Sequence, residues 1–224
     1  MASSQQQRFY RQARKKARRK ALVAEKRKAE SSATADRLTE RIRSAATAPI
    51  DRCFVTENLF EKGVGQVIAT RLLGSGHLAC AFFLVDSFCL GVKDVFFREL
   101  TRYEFARAYE EWSDIQKLAP IAPEEARALL NQAVAYARSL GFPPTGDYAV
   151  VEQIFGAVQA TSDNQTFVFG KDGKPLYIAG AYHTPARASR IIRTLSNNLG
   201  PDGFHFIAPL PADEVPEIYE RART

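Results

Sequence analysis

From Phe83 to Asp94 the chain reads Phe-Leu-Val-Asp-Ser-Phe-Cys-Leu-Gly-Val-Lys-Asp. Asp86 interrupts an otherwise apolar stretch, where a lone buried carboxylate is expensive unless it finds partners. Cys89, Lys93 and Asp94 follow close behind. Two carboxylates beside a lysine could hold a divalent metal and neutralise a phosphate, the chemistry of a nuclease or phosphoester hydrolase. Cys89 beside a helix N-terminus could have a depressed thiol pKa and act as a nucleophile. A structural reading competes with both and carries more weight. Asp86 accepts backbone hydrogen bonds, Asp94 caps a helix, and Cys89 is a small core residue, as free cysteines usually are.

The other reactive side chains are scattered. His77, His183 and His205 stand at no i,i+4 spacing and share no short metal spacing with Cys53, Cys80 or Cys89. No metal site and no cofactor is expected from them. Gly63-Val64-Gly65 and Gly74-Ser75-Gly76 lack the strand-then-helix setting of a phosphate loop and read as turns. Three cysteines without a Cys-x-x-Cys pair suit a reducing cytoplasm.

Charge is the strongest signal in the chain. Residues 1–46 hold fourteen Lys or Arg against four acids, a net +10, whereas the whole 224-residue chain carries +6. A strongly basic arm therefore precedes a mildly acidic body, which points to a segment that meets polyanions. The arm's cations are Arg11, Arg14, Lys15, Lys16, Arg18, Arg19, Lys20, Lys26, Arg27 and Lys28 with their neighbours, and the block from Arg14 to Lys20 is the densest. These residues suit phosphate contact with little sequence readout, so nucleic acid is the expected partner, with RNA ahead of DNA. Ala, Arg, Lys and Glu favour helix, but like charges repeat at i,i+4. The arm is thus expected as a frayed helix or a disordered segment until anions neutralise it. A second cationic stripe, Arg187, Arg190 and Arg193, reads as a solvated helix face or a further anion contact.

These residues must be positioned by the body. Gly65 to Leu73 and His77 to Leu90 flank a glycine turn and predict a β-hairpin whose second strand is buried on both faces. From Asp94 a helix is predicted to about Trp112. Its Phe96, Phe97, Leu100 and Tyr103 lie on one side, and Phe105, Tyr109 and Trp112 lie nearly opposite. Such a helix reads as core and offers a face to a protein partner. Pro123 opens a second helix that Gly141 stops, and Asp147 opens a shorter one. Thr166 to Gly170 and Pro175 to Gly180 predict a second hairpin around Lys171 to Lys174. Thr184-Pro185 caps a last helix, and Gly203 to Ile207 reads as a further strand. The fold class is α+β: an antiparallel sheet from two β-hairpins with packed helices, preceded by the basic arm. The predicted boundaries are an arm over 1–49, a globular domain over 50–210 and a polar tail over 211–224. No stretch approaches the 18–20 apolar residues, roughly, of a membrane span.

Three segments, Phe83 to Asp94, Phe169 to Tyr177, and Asp202-Gly203-Phe204-His205, resemble segments of bacterial open reading frames of no assigned function. The resemblance spans about residues 51–207 and omits the arm. It implies a bacterial cytoplasmic setting and says nothing of activity. The expected function is non-enzymatic nucleic-acid binding through the arm. A metal-dependent nuclease or phosphoester hydrolase using Asp86, Asp94 and Lys93, or a protein-interaction module using the aromatic helix, are the alternatives.

Overall fold

A computed structural model describes residues 34–161, 167–180 and 183–208. The arm residues Arg11 to Lys28, the loop from Ser162 to Thr166 and the tail over 211–224 lie outside them. The chain divides into two compact units, residues 1–41 and 42–224. Of the first unit, residues 34–41 are described and are helical, the start of helix α1 over 34–45.

In the second unit, four consecutive strands form an antiparallel meander: β1 (Ile50–Thr56), β2 (Val64–Leu72), β3 (Leu78–Asp86) and β4 (Gly91–Leu100). A short helix, α2 (Leu59–Lys62), joins the first two. From β4 at one edge, helix α3 (Arg102–Ile115) crosses to β5 (Leu118–Ile121), which pairs with β1 at the other edge. The sheet order is β4-β3-β2-β1-β5, and with its helices it makes an α+β fold. Helix α4 (Pro123–Ser139), the single turn α5 (Tyr148–Val151) and a 3-10 turn (Glu152–Phe155) follow. Strand β6 (Leu176–Ile178), helix α6 (Pro185–Leu199) and strand β7 (His205–Ile207) complete the body. Among the described residues no helix is long and apolar enough to cross a membrane.

The predicted first hairpin is present, and β3 is central in the sheet and buried on both faces, with α3 on one side and the α5 and 3-10 turns on the other. Alternation along the strand sends Phe82 and Phe83 in opposite directions. Phe82 stacks on Phe96 at 4.3 Å and meets Trp112 of α3 edge-on at 5.0 Å. Phe83 faces Tyr148 and Phe155 on the other side. Each fully buried phenyl contributes on the order of 1.5–3 kcal/mol.

Two expected elements differ. The helix predicted from Asp94 to Trp112 is instead strand β4 followed by α3. Val92, Val95, Phe96 and Phe97 are strand formers, and they close the second edge of the apolar β3. The helix begins at a capping box: the Glu104 N–H donates to Thr101 Oγ1 at 3.1 Å, and the Thr101 N–H donates to Glu104 Oε2 at 2.7 Å. The aromatics expected on two faces of one helix thus belong to two elements, and Phe105, Tyr109 and Trp112 turn toward the sheet. The predicted second hairpin is reduced to one bridge between Lys171 and Lys174. On either side of that turn, the Gly170 N–H donates to Ser87 O and the Leu176 N–H to Phe88 O, so the loop after β3 takes the bonds a partner strand would have taken. Strand β6 pairs with β7 in parallel, an arrangement that needs a crossover, and α6 supplies it. The helices predicted from Pro123 and Thr184 and the strand ending at Ile207 are present, whereas the helix predicted from Asp147 is a single turn, Tyr148–Val151, followed by the 3-10 turn.

Candidate functional site

Asp86 ends β3 and directs its side chain into the following loop. Its Oδ1 accepts from the Phe88 N–H at 3.1 Å and the Cys89 N–H at 2.9 Å, and its Oδ2 lies 3.9 Å from Lys93 Nζ. Burial raises the carboxyl pKa, with Lys93 and the N–H groups of Cys89, Leu90 and Phe88 pulling the other way. The loop itself is tightly bonded. The Ser87 N–H donates to Gly63 O at 2.8 Å, Ser87 Oγ to Leu59 O at 3.1 Å, and Tyr136 Oη to Phe88 O at 3.1 Å. Gly63 has φ +81°, and a Cβ there would sit 2.2 Å from the Phe88 ring, so this approach requires glycine.

Cys89 is fully buried in the cluster that α6 closes, among Leu140, Tyr177, Ile192 and Leu195. Burial, with Asp86 nearby, pushes its thiol well above the ordinary range, so at neutral pH it is protonated. The helix N-terminus expected beside it is absent, since strand β4 begins at Gly91. Asp94 stands on that strand opposite Leu84, exposed, with its Oδ1 accepting from the Val95 N–H at 2.9 Å. It caps no helix. Among the described residues no group of three or more His, Cys, Asp or Glu side chains could hold a metal ion. The structure therefore brings Asp86, Cys89 and Lys93 together where β3 turns into β4 and leaves Asp94 outside that group.

Lys93 also faces a groove, and here two of the predicted stripe residues join it. An open cavity of about 540 Å³ has Lys93, Arg187 and Arg190 on its wall, with Leu90, Phe142 and Ile191 among its apolar lining. Helix geometry sorts the stripe. At about 100° per residue, positions 187, 190, 191 and 194 stay within one face, and Arg187, Arg190, Ile191 and Thr194 all line the cavity. Position 193 has turned roughly 120° from 187, and Arg193 is not among the lining residues. Among the described residues Arg187 and Arg190 have no carboxylate within 4.0 Å, and no acid lines the cavity.

The groove's walls are fixed by backbone. The Thr145 N–H donates to Val92 O at 3.4 Å, tying the loop after α4 to β4. Asn198 Nδ2 of α6 donates to Leu140 O at 3.0 Å, holding the same loop to α6. Gly141 has φ +94°, and a Cβ would meet Asn198 Nδ2 at 2.4 Å. Outside the lining residues, Tyr177 Oη and His183 Nδ1 are 2.7 Å apart. Burial, then Arg187 and Lys93, depress the His183 pKa, and burial pushes Tyr177 up to about 12. The charges of Arg187 and Lys93 thus reach the same imidazole.

The sequence reading missed two features. Arg71 is buried and donates to the carbonyls of Ile154, Ala48 and Phe155, joining β2 to two loops without a carboxylate partner among the described residues. A lone arginine in an apolar strand was the available signal. The meeting of Lys93 with Arg187 and Arg190 had no signal in sequence spacing.

No protein-family model, curated protein or solved structure matches this chain.

Proposed function

We propose that the protein binds nucleic acid in the cytoplasm, RNA in preference to DNA, through its basic N-terminal arm. One observation carries the reading: the arm's fourteen cations and four acids give residues 1–46 a net +10 within a chain of net +6. A segment so charged gains affinity by releasing counterions from phosphates, with little dependence on base sequence.

The test uses the full chain, because Ile42 and Ala45 are buried in the second unit and a deletion through residue 46 would cut into its core. Arg14, Lys15, Lys16, Arg18, Arg19 and Lys20 are exchanged for glutamate together, and binding to a labelled RNA is followed by anisotropy across a salt series. If about 6–10 phosphates are contacted, the unmodified chain should lose roughly 10³–10⁵-fold in affinity between about 50 and 200 mM salt on duplex, with a shallower slope on single strands. The exchanged chain should bind weakly with a flattened slope. Equal affinity and slope in the two chains would refute the proposal, and sequencing of crosslinked nucleic acid would separate RNA from DNA.

A further inference from the structure

We propose that the groove between β4, the loop after α4 and helix α6 is a binding site for a phosphate monoester attached to an apolar or ring-bearing group. The proposal goes beyond the arm, since it assigns a second and smaller anion site to the body.

Three cations from two separate elements, Lys93 of β4 and Arg187 and Arg190 of α6, share one cavity. Exposed arginines near acids would normally pair with them; here the described residues offer the two guanidiniums no carboxylate. Among the described residues Lys93 has one distant carboxylate partner, Asp86 at 3.9 Å, whose Oδ1 is occupied by backbone N–H groups. A monoanionic carboxylate would leave such a site overcharged. A phosphate monoester carries nearly two negative charges at neutral pH and three terminal acceptor oxygens. It suits the forked donors of two arginines and the point charge of a lysine. The remaining wall describes the rest of the ligand: Leu90, Val92, Phe142, Pro143 and Ile191 are apolar. The hydroxyl of Thr145 adds a donor, whereas that of Thr194 already donates to Arg190 O at 3.1 Å. A volume of about 540 Å³ falls in the range of small-molecule sites, about 300–1,000 Å³. The hydrogen bonds from Thr145 to Val92 and from Asn198 to Leu140 hold the walls before any ligand arrives.

That chemistry has two sources, a free mononucleotide or the 5′-phosphate end of an oligonucleotide, and the test separates them. Adenosine 5′-monophosphate, adenosine, and a short oligonucleotide with and without its 5′-phosphate are titrated into the full chain by calorimetry at low salt. Adenosine monophosphate should bind saturably and adenosine should not. Arg187→Gln and Arg190→Gln should each weaken that binding by about tenfold or more, the loss of a charge-assisted contact. Arg193→Gln, on the same helix but outside the groove, should leave it within about twofold. The six-residue glutamate exchange in the arm should leave mononucleotide binding unchanged even where it abolishes RNA binding, so this proposal and the arm reading fail separately. A preference for the 5′-phosphorylated oligonucleotide that Arg187→Gln removes would identify the source as a nucleic-acid end. Its absence, with mononucleotide binding intact, would identify a free nucleotide. No saturable binding of adenosine monophosphate, an equal effect of Arg193→Gln, or loss of binding on exchange of the arm would overturn the site.

Discussion

The interior of this body and the groove at its edge treat charge in opposite ways. Asp86 and Arg71 are buried, and backbone groups occupy their polar atoms: two N–H donors on one carboxylate oxygen, three carbonyls on one guanidinium. Arg187 and Arg190 are exposed, face a shaped cavity, and have no carboxylate among the described residues. A buried charge without partners would unfold the site, so the interior charges hold loops together. A solvated charge needs no partner, so a cluster of them is free to take one from outside. The residue that attracts notice first in the sequence, Asp86, belongs to the first kind.

If that contrast is right, the interior charges should govern stability and the groove charges should not. Arg71→Ala leaves the carbonyls of Ile154, Ala48 and Phe155 without their donor, and each uncompensated buried group costs about 1–3 kcal/mol. With partial relaxation and water entry, a loss on the order of 3 kcal/mol is expected from urea unfolding followed by circular dichroism. A loss below about 1 kcal/mol would mean the cage is not structural.

Asp86 should come next and should separate shape from charge. Asp86→Leu removes the acceptor of the Phe88 and Cys89 N–H groups and should cost about 1–3 kcal/mol. Asp86→Asn keeps an acceptor and removes the charge. Because burial raises the carboxyl above its ordinary 3.8, the ionised form costs the fold stability at any pH above that value. The amide is therefore expected to match or exceed the unmodified chain at pH 7 in the same unfolding measurement. An amide as damaging as leucine would show that the Lys93 attraction outweighs the backbone bonds. By contrast, Arg187→Gln with Arg190→Gln should shift stability by less than about 0.5 kcal/mol, the usual range for solvated surface positions.

The sequence made the meander's central hairpin legible because β3 is apolar from Leu78 to Val85 and lies between Gly76 and Gly91. It also made α4 and α6 legible, each announced by a proline at its start. It misled at Asp94, where a good capping residue stood before an aromatic run. The capping signature Thr101-x-x-Glu104 lay seven residues further on, and only the pairing demand of β3 decides between them. At Lys171 to Lys174 the turn chemistry was right and the flanks were wrong. A local turn cannot show that the loop after β3 supplies a better hydrogen-bond partner from more than 80 residues away. The same limit hid the groove, since Lys93 and Arg187 meet only through tertiary packing. Of the candidate site, the structural role of Asp86 and the stripe on α6 were readable, and their relation was not.

The smallest effect should come from His183, where the two kinds of region touch. Its Nδ1 contacts Tyr177 Oη of the core, and the groove charges Arg187 and Lys93 act on it from outside. Burial first, then these cations, hold its pKa below the ordinary 6.5. The unfolded chain therefore takes up a proton on this imidazole before the folded chain does. Stability falls as pH drops below about 6.5, and the loss is complete only below the folded value. Unfolding of the unmodified chain and of His183→Gln, measured from pH 8 down to pH 5, removes the titrations common to both. The unmodified chain should lose stability relative to the variant as pH falls through that window. A constant or opposite difference would mean that neither burial nor the cations depress the imidazole in the folded chain. Repeating the series with saturating adenosine monophosphate sharpens the point. A dianion in the groove offsets Arg187 and Lys93 but leaves burial in place, so the pH-dependent loss should shrink without vanishing. If the ligand leaves it unchanged, the phosphate is bound away from the charges that depress His183.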